Sequence, residues 1–412
     1  MSNSSITRNK TLSSSFIYKE NALVFFLSAV AIIFLYAKVA AFNRYAITIG
    51  GIFCPIAFIL SLRRFLLNPF VIMSSAFFII WPLIVMVGCT VFQSSLTPEF
   101  NQFIASYSLW AISVLLISMA FLTRKPMGFS ETFVINIIIL FFATLQWLGT
   151  SIFNTYIGYD IVQPLLGSDL FNSYLNIEDI DKARAIGTYY EPSMCGRVIG
   201  TLCLIDVIRT KKVARNLLIV LIGLAATKSL GLIILVAVLG VVLLGRNVKE
   251  LVSLVLAGLV LFSIQGALVS QRLVTQAGDQ YSSTYRRIIA PIETLGFAAI
   301  HYPLGIPIGS AELLAERTGY AVETGESKIT NGTYEFITYF GLLGILVLAS
   351  VLFSSFTLVA YGEREYAACI LYIGMSTALS GSFLSIESSL LTYFFISSCI
   401  SAREIRKTRN DV

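Results

Sequence analysis

A glutamate between two arginines stands where a polar stretch of the chain meets an apolar run. The stretch ends Arg184-Ala-Ile-Gly-Thr-Tyr-Tyr-Glu-Pro-Ser193, and Arg197 follows about one turn into the apolar run. Pro192 suits the first position of a helix, where its missing N–H costs nothing, so Glu191 is predicted at the N-cap, with its charge favoured by the helix dipole. A salt-bridged helix cap explains Glu191 alone equally well. An arginine as deep as Arg197 needs a cavity or a partner, and the three charges together indicate a functional site.

Further arginines lie in a later polar stretch that contains Tyr281-Ser-Ser-Thr-Tyr-Arg-Arg-Ile-Ile-Ala290. They are Arg272, Arg286 and Arg287. A guanidinium binds phosphate through two parallel hydrogen bonds and stays charged at any working pH. Neighbouring residues point to different faces of a helix, so Arg286 and Arg287 would be divided between a site and the lipid headgroups. For either one alone, snorkelling to the interface or pairing with a nearby carboxylate is the commoner behaviour.

Two other stretches carry polar groups of interest. His301 is the only histidine and begins His301-Tyr-Pro-Leu-Gly-Ile-Pro-Ile-Gly309, whose Pro and Gly content predicts an ordered, turn-rich loop. A lone histidine is more often structural than catalytic. Asn331-Gly-Thr-Tyr-Glu335 leads into a later apolar run, which places Glu335 in the first turn of a helix. The simplest role for Glu335 is a charge at a helix N-terminus.

The composition decides what kind of fold must position these residues. Hydrophobic residues make up 56% of the 412 residues and charged residues only 13%, about half the usual share of roughly 25%. A soluble surface needs more charge, and 30 Phe and 19 Tyr exclude a disordered chain. The net charge of +6 does not indicate nucleic acid, because the basic residues sit between apolar runs. The sequence therefore predicts an all-α, polytopic integral membrane protein.

Apolar runs near the ~20 residues needed to cross a bilayer predict about twelve transmembrane helices. They are 21–37, 45–62, 70–92, 103–122, 132–154, 193–208, 214–227, 229–245, 250–268, 333–360, 365–383 and 387–402. The short pair 214–227 and 229–245 is either two spans or one broken span. The predicted organisation is a polar N-terminal tail over 1–20, a single transmembrane domain over 21–402 and a C-terminal tail over 403–412.

The positions of the basic residues orient these spans. Most of the 29 Lys and Arg residues fall in loops on the side of the N-terminus, which predicts that both termini are cytoplasmic. Two long segments, 155–192 and 269–332, are then external, and long segments translocate largely regardless of charge. The residues singled out above lie in or beside these segments, so any active site is predicted on the external side.

Motifs for nucleotides and metals are missing from the sequence. No P-loop, GxGxxG after a strand or HExxH is found. The six cysteines form no CxxC pair, and the acidic stretch Glu178-Asp179-Ile-Asp181 in the first long segment is interpreted as a solvated turn and not as the metal-binding pair of a sugar-nucleotide enzyme. The sequence therefore predicts neither a metal site nor a cofactor.

The order of the motifs resembles the O-antigen and exopolysaccharide polymerases of the Wzy type. The resemblance rests on Arg184-x-x-Gly187-x-x-x-Glu191-Pro-Ser193, on Thr227-Lys-Ser-Leu-Gly231, on Tyr285-Arg286 followed by His301–Gly309, and on Asn331–Gly344. The colanic acid polymerase branch is the most similar, since it also has Tyr-Arg after a Ser-rich run and Asn-Gly before a late span. The resemblance covers roughly residues 180–350. O-antigen ligases have a histidine just before the Asn of the last motif, and Thr330 stands there in this chain.

This resemblance implies a membrane-embedded, GT-C-like glycosyltransferase that is metal-independent and inverting. Its donors would be oligosaccharides linked to undecaprenyl pyrophosphate, and it would work at the periplasmic face of the bacterial inner membrane. A chain-length regulator and a flippase of the same pathway are the candidate protein partners. A glycan ligase is the alternative enzyme. A flippase for lipid-linked oligosaccharides is the alternative from another class, although a flippase should carry charges deep within its spans.

The resemblance also implies roles for the residues. Glu191 would accept the proton of the acceptor hydroxyl, and Arg184 and Arg286 would stabilise the departing pyrophosphate. The remaining predicted substrate-binding residues are Arg197, Arg272, Arg287, Tyr190, Tyr285, His301, Asn331 and Glu335.

Overall fold

The computed structural model of the protein describes most of the chain. The described residues are 27, 29–35, 37–42, 45–62, 68–92, 94–123, 132–166, 184–189, 191–244, 252, 285, 289–324, 331–379 and 385–410. They are predominantly α-helical, as predicted, with one short antiparallel hairpin of β1 (Lys38–Phe42) and β2 (Tyr45–Thr48). In this hairpin Lys38 lies opposite Thr48 and Phe42 opposite Tyr45.

The helices follow in chain order. They are α1 (Ile49–Leu62), α2 (Pro69–Val91), α3 (Phe100–Leu122), α4 (Thr132–Ser151), α5 (Ile157–Leu166), α6 (Pro192–Thr210), α7 (Val213–Thr227), α8 (Leu230–Leu244), α9 (Ala290–His301), α10 (Ala311–Arg317), α11 (Tyr320–Thr324), α12 (Gly332–Phe340), α13 (Leu342–Ala360), α14 (Arg364–Leu379) and α15 (Ile386–Asn410).

Among the described residues, four helices are long and apolar enough to cross a membrane: α2, α3, α4 and α13. The shorter apolar helices include α7 and most of α8. These helices support a multi-pass membrane protein, while the count of twelve spans and the GT-C-like arrangement stay predictions. The predicted span 250–268, apart from Val252, and the start of 21–37 lie outside the part of the chain that the structure describes.

Two predicted spans have different boundaries in the structure. The span predicted over 45–62 begins as a strand, because the backbone of 45–48 pairs with β1, and its helix starts only at Ile49. The span predicted over 333–360 is two helices, α12 and α13, which are separated at Gly341. Gly341 has φ +58°, a left-handed conformation that interrupts the helical hydrogen bonds and that glycine adopts without strain.

The short apolar pair predicted over 214–245 is two helices in the structure. α7 ends at Thr227, and Lys228 follows in the left-handed conformation with φ +49°. The Lys228 N–H donates to the carbonyl oxygen of Leu224 at 2.8 Å, which closes the last turn of α7. Ser229 then precedes α8.

The core of the bundle surrounds α6. Every residue of α6 from Cys195 to Ile208 is buried, and this helix packs against α4, α7, α8 and α15. At the periphery, α2 buries only Pro82 and Val85, and α13 buries only Gly344 and Ser355. Long helices whose apolar side chains face outward are suited to contact lipid tails. A smaller core, which includes Trp110, Leu314 and Phe340, joins α3 to the unit formed by α9, α10 and α12.

Candidate functional site

The segment from Arg184 to Glu191 leads into α6, and a buried glutamine holds it in place. Gln146 on α4 is fully buried, and its Oε1 accepts from the backbone N–H groups of Ile186 at 2.9 Å and Gly187 at 2.8 Å. Its Nε2 donates to the carbonyl oxygens of Gly187 at 2.8 Å and Gly158 at 3.3 Å. A buried amide with partners at both ends fixes an irregular backbone segment. Gln146 is not among the predicted site residues, although an amide inside an apolar run is a signal for a buried polar role.

The same segment is tied to the N-terminal part of the chain. Tyr189 donates its hydroxyl to the carbonyl oxygen of Ile32 at 2.9 Å, and Thr188 donates to that of Ile33. Gly187 has φ +60°, and a Cβ at this position would lie 2.8 Å from the Sγ of Cys195. The glycine of the Arg-x-x-Gly motif is therefore required both by its backbone conformation and by the close approach to α6.

Arg184 lies against the end of α7. Its Nε donates to the carbonyl oxygen of Thr227 at 3.0 Å, and its Nη2 donates to that of Lys228 at 2.9 Å. The N–H of Ala185 donates to the carbonyl oxygen of Ala226 at 3.1 Å. Two of the five guanidinium N–H donors thus serve the orphan carbonyls of a helix C-terminus. The motifs around Arg184 and Thr227, far apart in the sequence, are in direct contact.

Glu191 is at the N-cap of α6, as predicted, but its side chain does not cap the helix. Its backbone is extended, Pro192 is the first helical residue, and the side chain makes no capping hydrogen bond. The backbone carbonyl accepts from the N–H groups of Met194 and Cys195, and the Oε2 atom accepts from the Ser193 hydroxyl at 2.8 Å. A capping carboxylate would accept from backbone N–H groups of the first turn. The half-buried carboxylate of Glu191 is therefore not used for that purpose.

Arg197 faces the interior of the bundle. Its residue exposure is 3%, and its Nη2 donates to the Ser388 hydroxyl at 2.8 Å, in the first turn of α15. One turn further along α6, Thr201 donates to the Arg197 carbonyl and shares a 2.7 Å hydrogen bond with the Tyr372 hydroxyl. The predicted need of this deep arginine for a polar partner is met from α15.

A second carboxylate lies next to Ser388. Glu387 accepts from the Thr48 hydroxyl at 2.8 Å through Oε1 and from the Ser385 hydroxyl at 2.9 Å through Oε2. Because Ser388 contacts Arg197, the starts of α6 and α15 lie on the same side of the bundle. In the sequence Glu387 is only the first residue of the predicted span 387–402. An acidic residue at a span boundary is the signal in the sequence for such a carboxylate.

The other group of predicted site residues lies on α12. Asn331 is the N-cap of this helix, and its Oδ1 accepts from the backbone N–H groups of Thr333 at 3.0 Å and Tyr334 at 3.4 Å. Glu335 is in the first turn, as predicted, but it is buried, with a residue exposure of 2%. The Tyr339 hydroxyl donates to its Oε1 at 3.3 Å, one turn along the same helix. Asn331 thus has a structural role as a helix cap.

The loop from Pro303 to Gly309 docks onto the break between α12 and α13. The Ile306 N–H donates to the Thr338 carbonyl at 3.0 Å, and the Leu342 N–H donates to the Pro303 carbonyl at 2.9 Å. Gly305 has φ +98°, and a Cβ on it would lie 2.1 Å from the Tyr339 carbonyl oxygen. A Cβ on Gly341 would lie 2.1 Å from the Pro303 carbonyl oxygen. The predicted ordered loop is present, and its glycines allow two backbones to touch.

His301 does not join the group around Glu191. It is exposed at the end of α9, where its ring lies 4.5 Å from that of Phe297. Tyr285 donates its hydroxyl to the Glu323 carboxylate, and this hydrogen bond raises the pKa of Tyr285 because it favours the protonated phenol. Arg272, Arg286, Arg287 and Tyr190 lie outside the described residues.

No group of three or more His, Cys, Asp or Glu side chains suited to a metal ion occurs in the described ranges. Metal independence stays a prediction, because it concerns the reaction of the whole chain.

Apolar helices around the buried α6, with a carboxylate and two guanidinium groups near its start, define a multi-pass membrane protein with a polar site at one end of the bundle. A family model described as WcaD colanic acid polymerase matches residues 23–400, and the chain belongs to this family. The resemblance to Wzy-type polymerases is thereby confirmed. No curated protein matches the chain. Membership supports a polysaccharide repeat-unit polymerase, a glycosyltransferase-type enzyme with a lipid-linked oligosaccharide substrate.

Proposed function

We propose that the protein joins oligosaccharide repeat units carried on undecaprenyl pyrophosphate at the periplasmic face of the bacterial inner membrane. The growing glycan moves from its lipid carrier to a sugar hydroxyl of the next unit. The observation that carries the proposal is the Glu191 carboxylate, which stands at the start of α6 without capping it. A carboxylate at this position suits a base for the acceptor hydroxyl.

The reaction needs one base for the acceptor hydroxyl and a cationic site for the departing pyrophosphate. Glu191 takes the proton of the acceptor hydroxyl while the hydroxyl oxygen bonds to C1 of the donor sugar. The bond between C1 and the pyrophosphate oxygen breaks, and its electron pair leaves with undecaprenyl pyrophosphate. Attack from the face opposite to the leaving group inverts the configuration at C1. No metal takes part in this scheme, so guanidinium groups stabilise the developing negative charge.

The arginines have different roles in binding and stabilising the pyrophosphate. Arg184 keeps a fixed position because two of its donors bind the end of α7, and its charge acts on the pyrophosphate from there. Arg286 is the second catalytic cation, with Arg272 and Arg287 in supporting contacts to phosphate. Arg197, which Ser388 holds, contributes positive charge from beneath Glu191. Tyr190 and Tyr285 pack against sugar rings, and His301, Asn331 and Glu335 lie at the acceptor or glycan side.

The test of the reaction is polymer formation from purified lipid-linked repeat units by the purified protein. Glu191→Gln, Glu191→Asp and Glu191→Asn are compared with the wild type at matched protein levels. Loss of polymer in all three variants supports a carboxylate that needs both its charge and its reach. Wild-type rates in the Gln and Asn variants would contradict the assignment, and the base would then be sought at Glu387, Glu335 or His301.

A glycan ligase is the second candidate enzyme, and the deletion strain separates it from the polymerase. A surface lipid capped by a single repeat unit indicates loss of a polymerase. Full-length polymer stranded on the lipid carrier indicates loss of a ligase. Lipid-linked single units held on the cytoplasmic leaflet would indicate a flippase instead.

The orientation is tested separately. In a cysteine-free background, cysteines introduced at Asp169 and Gly319 should react with an impermeant reagent in intact spheroplasts. Protection of both positions would contradict the external site.

A further inference from the structure

Gln146 on α4 uses every hydrogen-bonding position of its side-chain amide. An amide side chain has two donor hydrogens and two acceptor sites. The Oε1 atom accepts from the N–H groups of Ile186 at 2.9 Å and Gly187 at 2.8 Å. The Nε2 atom donates to the carbonyl oxygens of Gly187 at 2.8 Å and Gly158 at 3.3 Å. Gln146 is fully buried, so a substitution that removes the amide leaves these backbone groups without a partner in a site shielded from solvent.

The backbone that Gln146 binds joins the two charges of the proposed reaction. Arg184 lies two residues before the bound pair, and Glu191 lies four residues after it. Residues 184–189 form neither helix nor strand, so no regular hydrogen-bond ladder sets the distance between the two charges. In an extended chain they could be separated by up to roughly 25 Å. The hydrogen bonds of this segment to its neighbours therefore set where the carboxylate stands relative to the guanidinium.

The distance between these charges matters for the rate because they act on opposite sides of one carbon atom. In the proposed reaction Glu191 takes the proton of the attacking hydroxyl, and Arg184 stabilises the departing pyrophosphate. A misplacement of about 1 Å between reacting groups costs roughly 10²-fold in rate. The lipid chain and the glycan of the substrate offer many further contacts for binding. A shift of the segment should therefore lower turnover more than affinity.

We propose that Gln146 is a positioning residue, which acts through the segment 184–191 and sets the separation of Glu191 from Arg184. This inference rests on the proposed function, because the two charges are those of its mechanism. The amide of Gln146 contacts backbone groups and not the reacting atoms. Its effect on the rate therefore depends on the presence of the Glu191 carboxylate.

A second buried amide on the same helix provides a matched control. Asn136 lies ten residues earlier on α4 and is 1% exposed. Its Nδ2 donates to the carbonyl oxygen of Ile199 at 3.2 Å and to the Sγ of Cys203 at 3.1 Å. These partners belong to the middle of α6 and not to the segment 184–191. Loss of either amide should destabilise the protein, but only the loss of Gln146 should release the segment.

The test measures kcat and KM for polymer formation from purified lipid-linked repeat units, at matched amounts of folded, full-length protein. Gln146→Met keeps the approximate size of the side chain and removes all four hydrogen bonds. We expect it to lower kcat by about 10²-fold and to leave KM nearly unchanged. Asn136→Leu should lower the unfolding temperature to a similar extent and leave kcat near that of the wild type. Equal kcat values for the two variants would overturn the positioning role.

Gln146→Glu is the milder second variant. It keeps the length of the side chain and an oxygen that accepts from the two N–H groups, but it loses the amide donors to the two carbonyl oxygens. We expect a loss of about tenfold in kcat. If Gln146→Met does not accumulate, Gln146→Glu takes its place in every comparison, and a wild-type kcat in it would overturn the proposal.

A double-mutant cycle separates positioning from general stability. Adding Gln146→Met to Glu191→Gln should lower kcat much less than it does in the wild type, because the separation of base from cation no longer matters once the base is absent. An undiminished further loss would contradict the proposal. The proposed function fails separately, if the wild type forms no polymer. A wild-type rate in Glu191→Gln alone would remove the base, whereas the comparison of Gln146→Met with Asn136→Leu would still decide whether the segment governs turnover.

Discussion

The start of α6 and the break between α12 and α13 both carry residues of the family-like motifs, but they are built in different ways. Around Glu191, side chains hold an irregular backbone: Gln146, Arg184 and Tyr189 all bind carbonyl or N–H groups of other segments. At the break, glycines let backbone meet backbone, as at Gly305 and Gly341. Motif residues are thus held by side-chain hydrogen bonds in one region and by close backbone packing in the other, and chemistry is proposed only for the first.

The largest loss of stability should follow a substitution in the loop from Pro303 to Gly309. Gly305→Ala places a Cβ 2.1 Å from the Tyr339 carbonyl oxygen at φ +98°, so the loop cannot dock without a backbone shift. We expect a destabilisation on the order of 3 kcal/mol or more and little monodisperse protein after extraction. The measurement is thermal unfolding and the size-exclusion profile in detergent. Gly296→Ala is the control, because a Cβ there meets nothing within 4 Å; an equally stable Gly305→Ala protein would refute the packing role.

Glu191 should show the opposite profile, with a loss of activity and no loss of protein. Glu191→Gln removes the charge at constant shape and should lower the polymerisation rate by roughly 10²–10⁴-fold. Because the side chain makes no capping hydrogen bond, the thermal unfolding temperature should stay near that of the wild type. Glu387→Gln is the comparison variant, because its carboxylate is already bound by two hydroxyl groups. A larger rate loss in Glu387→Gln than in Glu191→Gln would exchange their roles.

Substitution of Arg184 should lower both activity and stability, because Arg184 binds backbone carbonyl groups and is also proposed to bind pyrophosphate. Arg184→Ala should lower polymer formation by about 10² or more and also destabilise the end of α7. Arg184→Lys keeps the charge but lacks the two-pronged geometry, so it should rescue poorly. Rates and unfolding temperatures are measured together. If Lys restores the unfolding temperature and the rate equally, Arg184 is a structural residue only.

The smallest effect should follow the loss of the Ser388 hydroxyl. Ser388→Ala removes a partner of the buried Arg197 guanidinium, which should cost about 1–3 kcal/mol of stability and lower activity only modestly. Ser388→Thr should restore both. Ser389→Ala is the control, because the Ser389 hydroxyl donates to the Ser385 carbonyl of its own chain segment. Identical unfolding temperatures for Ser388→Ala and Ser389→Ala would remove Arg197 from this interaction.

The sequence was sufficient for features that depend on local patterns. Apolar run length predicted α2, α3 and α4, and the Glu-Pro pair predicted the N-cap of α6. The break at Gly341 was missed because its flanking residues are continuously apolar, and only a contact with Pro303 shows why the helix stops. The hairpin over 38–48 is not predicted for a different reason. Strands this short show no long periodic pattern in the sequence.

The charged residues of the candidate site can be predicted from the sequence, but the residues that hold them in place cannot. Glu191 and Arg197 stood out because charges are rare at the edge of apolar runs. Gln146 binds a segment about 40 residues later, and Ser388 binds Arg197 across 191 positions. One sequence carries no record of such distant pairings. The sequence predicts only a substrate contact for Arg184, because nothing near it in the chain indicates its hydrogen bonds to the end of α7.

The docked loop has a thermodynamic consequence for the helix break. The Leu342 N–H, which no residue of its own helix satisfies, donates to the Pro303 carbonyl, and the glycines on the two sides allow this contact from opposite directions. Each glycine permits the same backbone contact, so loop docking and helix interruption form a single cooperative transition. Free energies of changes at Gly305 and Gly341 are therefore strongly non-additive: once one glycine is replaced and the loop is released, replacing the other removes little more.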